Sequence, residues 1–122
     1  MVDALGNPLA FHLTPGQAHD LDGADVLLPQ MQADTILGDK AFDADERVIE
    51  PLQRAGKTAV IPSRPNRKIP RPYDRHLFKA RHLIENFFCK LKQFRAVATR
   101  YDKRAINFLA GVYAASIVIW LN

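Results

Sequence analysis

The stretch Phe78–Lys92 sets one carboxylate, Glu85, between two cations, Arg81 and Lys92. On a helix turning about 100° per residue, these three side chains fall within about 40° of one another. Leu83, Ile84, Phe87, Leu91 and Phe94 gather on a separate arc of about 100°. One face can therefore dock on a core while the other presents a carboxylate beside basic groups, an arrangement suited to holding a metal ion and a phosphate together. The same pattern also describes an ordinary amphipathic helix whose charges face water. A second carboxylate, Asp39, follows the short apolar run Thr35-Ile36-Leu37-Gly38, which reads as a buried strand delivering that acid at its carboxyl end.

The elements that must position these residues alternate. Leu5-Gly6-Asn7-Pro8 is a turn, and Leu9 to Thr14 reads as a strand returning from it, broken by Pro15-Gly16. Asp20 or Asp22 can cap a helix reaching about Met31, with Val26, Leu27 and Met31 inward. After Asp39, capping by Asp43 or Asp45 predicts a helix with Val48, Ile49 and Leu52 inward, closing at Gly56. Lys57–Ile61 reads as a further strand stopped by Pro62. Residues 63–74 then carry Pro65, Pro70 and Pro72 among basic residues, either a solvated connector or a phosphate-contacting arm. A long helix is expected from about Asp74 to Ala98, and a last one from about Ala105 to Leu121. That last segment is apolar almost all round, which suggests a buried helix, with a short membrane anchor as the competing reading. The order of strands and helices predicts an α/β domain with parallel pairings.

The sequence then resembles a known family. Phe78, Arg81, Glu85 and Lys92 keep the spacing of the Tyr-x2-Arg-x3-Glu-x6-Lys signature of bacterial insertion-sequence transposases with an Asp-Asp-Glu metal triad. Leu37-Gly38-Asp39-Lys40-Ala41-Phe42-Asp43 resembles that family's Gly-Asp-Lys-Gly-Tyr-Asp block, and Asp3-Ala-Leu-Gly6-Asn-Pro8, Thr14-Pro-Gly16-Gln-Ala-His19-Asp20 and Thr99-Arg100-Tyr101-Asp102-Lys103 are similar to its flanking segments. The likeness runs in order along nearly all of the chain. It departs at Phe78, where the signature has Tyr, and at Ala41-Phe42, where it has Gly-Tyr. The family's first catalytic Asp lies upstream of the block at Asp3.

The resemblance implies an RNase H-like mixed sheet, N-terminally truncated, with two long C-terminal helices. Residues 1–122 would form a single partial catalytic domain without the first, Asp-bearing strand. It implies DNA cleavage and strand transfer by a two-metal mechanism using Mg²⁺ or Mn²⁺, with Asp39 and Glu85 as catalytic metal ligands. Arg81 and Lys92 would position Glu85 or grip phosphate, and Lys40, Arg95, Arg100 and Lys103 would add contacts to DNA. With one ligand absent, the isolated chain is expected to be inactive. A homodimer on the DNA ends and target follows from the same likeness. Asp3 matches a non-catalytic position ahead of a turn and is not taken as the missing acid.

Composition narrows the field. In 122 residues, 48% hydrophobic and 25% charged, there is material for one globular core and no sign of disorder. The net charge is +4, and most Lys and Arg lie between Arg64 and Lys103 while the acids lie mostly before Pro51. That asymmetry points to a polyanionic partner for the second half. One cysteine, Cys89, rules out an internal disulfide and a cysteine zinc cluster. His19 and His82 lack metal-ligand spacing, and a structural role is expected for His82. There is no Gly-rich phosphate loop, so no nucleotide cofactor is expected, and no secretory signal, so a cytoplasmic location is; association with the nucleoid is what the resemblance implies. The readings carried forward are a transposase fragment, a non-catalytic regulatory fragment binding DNA or transposase, and a membrane-anchored protein with coincidental motifs.

Overall fold

The computed structural model describes residues 1–15, 17–100 and 104–122, and these fall into two compact units, residues 14–81 and residues 1–13 with 82–122. In the first unit, α1 (Asp20–Leu27) carries Asp20 and Asp22 in its first turn, where the helix dipole favours anions. Its capping position is His19, which makes no side-chain cap, so neither Asp20 nor Asp22 caps it. Leu21 and Ala24 turn inward instead of Val26, which is exposed, while Met31 is buried as expected. Strands β1 (Thr35–Leu37) and β2 (Thr58–Val60) pair in parallel, with Ile36 opposite Ala59. The Gly38 N–H donating to the Val60 carbonyl and the Thr58 N–H to the Asp34 carbonyl continue the ladder beyond both ends.

A parallel pair needs a crossover, because no tight turn can join strands that run the same way. Here it consists of a 3₁₀ turn (Lys40–Phe42), a π-helical turn (Asp45–Ile49) and α2 (Glu50–Arg54). Pro51 sits in the first turn of α2, directly after the π-helical turn. Gly56, at φ +70°, makes the left-handed exit that a side chain would resist. Val48, Ile49, Leu52, Val60 and Ile61 are buried, and Val48 and Val60 almost completely so. Each such valine contributes on the order of 1.5–3 kcal/mol through loss of water contact.

In the second unit, α4 (His82–Leu91) and α6 (Ala105–Leu121) pack with Met1–Leu13 around a cluster of Phe87, Leu91, Val112 and Ala115. Phe11 lies against Phe87 and meets Tyr113 edge-on at 5.2 Å. The turn before it is fixed by Asp3, whose carboxylate accepts from the Leu5 and Asn7 N–H groups. Gly6 takes φ +85° there, with Leu83 close by.

Three expectations are corrected. Residues 9–14 form no strand; the local pairing is a single antiparallel bridge between Val2 and Pro8. The Asp74–Ala98 segment is not one long helix but α3 (Arg75–Phe78), a 3₁₀ turn (Lys79–Arg81), α4, and α5 (Arg95–Ala98). Phe94 adopts an extended backbone and packs its ring on the Phe87 cluster, so burying that ring outweighs continuing the helix. Helix α6 has the expected bounds but buries only a stripe containing Val112, Ala115 and Ser116; Ile106, Ile117 and Leu121 are 77%, 59% and 80% exposed. Apolar sequence cannot bury a face on which no neighbour packs. Among the described residues no helix is long and apolar enough to cross a membrane.

Candidate active site and arginine centre

Asp39 stands at the carboxyl end of β1, where the chain turns from strand to 3₁₀ turn. Its Oδ1 accepts from the Ala41 N–H at 2.8 Å, so the carboxylate caps that turn and is oriented by it. Among the described residues nothing bonds Oδ2, which leaves a hard oxygen for a cation. Lys40 is exposed, and its carbonyl accepts from Arg64 Nε at 3.2 Å, while the Ala41 carbonyl accepts from Arg64 Nη2 at 2.7 Å. Arg64 thus grips the outer side of the turn whose inner N–H holds Asp39.

Arg81, Glu85 and Lys92 do not share one helix. Arg81 ends the 3₁₀ turn, its guanidinium 5.7 Å from the Phe78 ring centroid. The aromatic that stands in the signature's Tyr position therefore has a physical task beneath an arginine. Glu85 is exposed on α4, and Lys92 follows the end of that helix, its N–H bonded to the Phe88 carbonyl. Arg95 opens α5 and is exposed. Arg100 adopts φ +47° and places its guanidinium 5.1 Å from the Phe108 ring. Lys103 lies outside the described residues, as do Gly16, Tyr101 and Asp102. His82, expected to be structural, is an exposed residue at the start of α4.

Asp43 overturns its expected role. It caps nothing: the residue before the π-helical turn is Ala44, with no side-chain cap, and Asp45 does not cap it either. Instead the Asp43 side chain, with no exposure at all, accepts from the Arg64 N–H at 2.7 Å, from Arg67 Nε and Nη2 at 2.9 and 2.8 Å, and from Arg71 Nη2. Asp45 adds a second carboxylate to Arg67 at 2.9 Å. Burial pulls the Arg71 guanidinium below its ordinary pKa, and Arg71 Nε is buried with no acceptor. A buried carboxylate needs charged donors to replace water, and Arg67 and Arg71 supply them. The sequence signal was the excess of arginines in 64–75, but nothing local tied them to an acid more than twenty positions earlier.

Elsewhere, Arg47 bridges Asp22 and Asp25 on α1 at 2.9 and 2.6 Å, which raises its pKa and lowers that of Asp22.

The family described as Transposase DDE domain matches residues 1–120 of this chain. The chain belongs to that transposase family. It is also 37% identical over 123 residues to a Brucella ovis protein named as a transposase for insertion sequence element IS6501, covering 100% of this chain and 95% of that protein. No solved structure matches the chain. Membership removes the reading in which the motifs are coincidental. For a transposase domain, Asp39 offers the right donor chemistry for a divalent ion, a strand-end carboxylate with an oxygen to spare, and Glu85 offers a second carboxylate. Among the described residues no three of His, Cys, Asp and Glu converge.

Proposed function

We propose that this chain is part of a DNA transposase catalytic domain with an RNase H-like fold, in which Asp39 and Glu85 hold Mg²⁺ or Mn²⁺. The parallel β1–β2 pair with its helical crossover supports that fold, and the family membership supports DNA as the substrate. The observation that carries the site is Asp39 itself, oriented by the Ala41 N–H at the carboxyl end of a strand with Oδ2 left for a ligand. The bound ion would act as a Lewis acid on the scissile phosphodiester and lower the pKa of an attacking water or 3′-hydroxyl. The chain's own residues do the positioning. Ala41 N–H and Arg64 set Asp39 through the turn between them. Arg81 and Lys92 balance the charge around Glu85 or grip a DNA phosphate, and Lys40, Arg95, Arg100 and Lys103 add sequence-independent contacts. A homodimer joining two element ends belongs to the same proposal, as does a cytoplasmic, nucleoid-associated location.

The test has two arms. Mn²⁺ binding to the full chain, read by electron paramagnetic resonance, should weaken at least about tenfold in Asp39→Asn and in Glu85→Gln. A shared ion should give one binding event that weakens further in the double variant than in either single one. Two separate binding events, each removed by one variant alone, would show two unrelated carboxylates and end the assignment. In the second arm, supercoiled DNA is incubated with the chain and Mg²⁺ or Mn²⁺. Metal-dependent nicking abolished by Glu85→Gln supports catalysis by this chain. Binding without nicking fits both the transposase part expected to be inactive alone and the non-catalytic regulatory reading, and the metal arm decides between them.

A further inference from the structure

The segment between β2 and α3 is no loose connector. Asp43 draws in the Arg64 N–H, Arg67 and Arg71, and Ser63 Oγ accepts from the Arg71 N–H at 2.8 Å. Pro62, Pro65, Pro70 and Pro72 restrict the backbone between these ties. Arg64, Arg67, Arg71 and Arg75 line an open cavity of about 650 Å³ whose walls contain no carboxylate. The four guanidiniums are not equivalent. Arg67 and Arg71 are matched by Asp43 and Asp45. The Arg64 guanidinium donates only to backbone carbonyls, and that of Arg75 lies over the Tyr73 ring at 5.9 Å; among the described residues neither guanidinium has a carboxylate partner. Arg71 Nε has no accessible surface and stands 4.0 Å from Asp45 Oδ1, so it is Arg64 and Arg75 that leave positive charge at the cavity. Uncompensated guanidinium charge around an open cavity without a carboxylate suits an anionic oxygen.

We propose that this cavity is a preorganised site for a DNA phosphodiester, with Arg64 and Arg75 supplying the charge and Arg67 and Arg71, held by Asp43, fixing its walls. The inference rests on the DNA-binding reading above and goes beyond it, since it makes the 63–75 loop a specific contact and assigns Asp43 as the residue that positions it. Because Arg64 also grips the turn that orients Asp39, a phosphate bound here is coupled through one side chain to the strand end carrying the proposed metal ligand.

The experiment measures binding of the full chain to a fluorescent DNA duplex by anisotropy across a salt series. Arg75→Gln should weaken binding about fivefold to tenfold at low salt and lower the slope of log affinity against log salt by about 0.9. Arg54→Gln removes the same charge from an exposed position at the end of α2, outside the cavity lining, and should leave the slope unchanged. Inorganic phosphate should compete for the wild-type chain more strongly than chloride at matched ionic strength, and this advantage should shrink in Arg75→Gln. Wild-type binding with equal effects of Arg75→Gln and Arg54→Gln overturns the cavity while sparing the DNA reading. Phosphate bound in the cavity with no DNA bound at low salt overturns it as a DNA site. No binding of either overturns both.

Discussion

Removing the Asp43 carboxylate is the sharpest perturbation the fold allows. Its side chain is 0% exposed and accepts from the Arg64 N–H, twice from Arg67 and once from Arg71. Breaking a buried ion pair by deleting one partner costs about 3–5 kcal/mol, because the remaining charge stays out of water unpaired. Here the side chains of Arg67 and Arg71 are 20% and 26% exposed, and Arg67 keeps Asp45, so water and that second acid recover part of the loss. The low end applies: Asp43→Ala should cost about 3 kcal/mol. For a chain of this size that is a fall in Tm of roughly 12 °C. Asp43→Asn keeps an acceptor for the Arg64 N–H and should fall between Ala and wild type. Thermal unfolding by circular dichroism gives the values, repeated in added salt. A buried pair is weakly screened, so the difference should survive high ionic strength. A Tm change under about 3 °C, or one erased by salt, would show that water already pays for these charges and that the cluster is a surface ion pair.

Two further outcomes are expected. Phe87, 3% exposed at the centre of the α4–α6 cluster, should cost about 3–5 kcal/mol when cut to Ala, while Phe88→Ala, at 48% exposure, should cost much less; chemical denaturation compares them. Asp3 has a pKa held below its ordinary value: burial pushes it up, but hydrogen bonds from Asn7, Leu5 and Gly6 outweigh this. A depressed carboxylate stabilises the fold above its unfolded pKa and loses that contribution as pH falls through the folded value. Between pH 5 and pH 3, Tm should therefore drop more steeply in the wild type than in Asp3→Asn; parallel curves would show that the turn does not need the ionised acid.

Much of the local structure was legible because it depends on near neighbours. The run Thr35–Leu37 and its parallel partner were readable from apolar strings bounded by Gly and Pro, and Val48, Ile49 and Leu52 from their period. Where the reading failed, a distant contact had intervened. Phe94 left the expected helix to join Phe87, and Asp43 passed over the turn beside it for arginines beyond the next strand. Capping by Asp43 was a reasonable local inference. It lost to an ion pair that local spacing does not reveal.

The sequence by itself determined the family, the order of strands and helices around β1 and β2, and the bounds of α6. All of these are carried by residue type at fixed spacing, which survives without knowing who packs on whom. Tertiary structure alone decided which faces are covered and which charges are matched. Helix α6 is apolar nearly all round, yet only the stripe with a neighbour is buried, since burial belongs to pairs of elements. Four arginines in one loop look alike as letters. Only the fold turns the guanidiniums of Arg67 and Arg71 onto a buried acid and leaves those of Arg64 and Arg75 without one, because charge compensation depends on distance through space rather than along the chain.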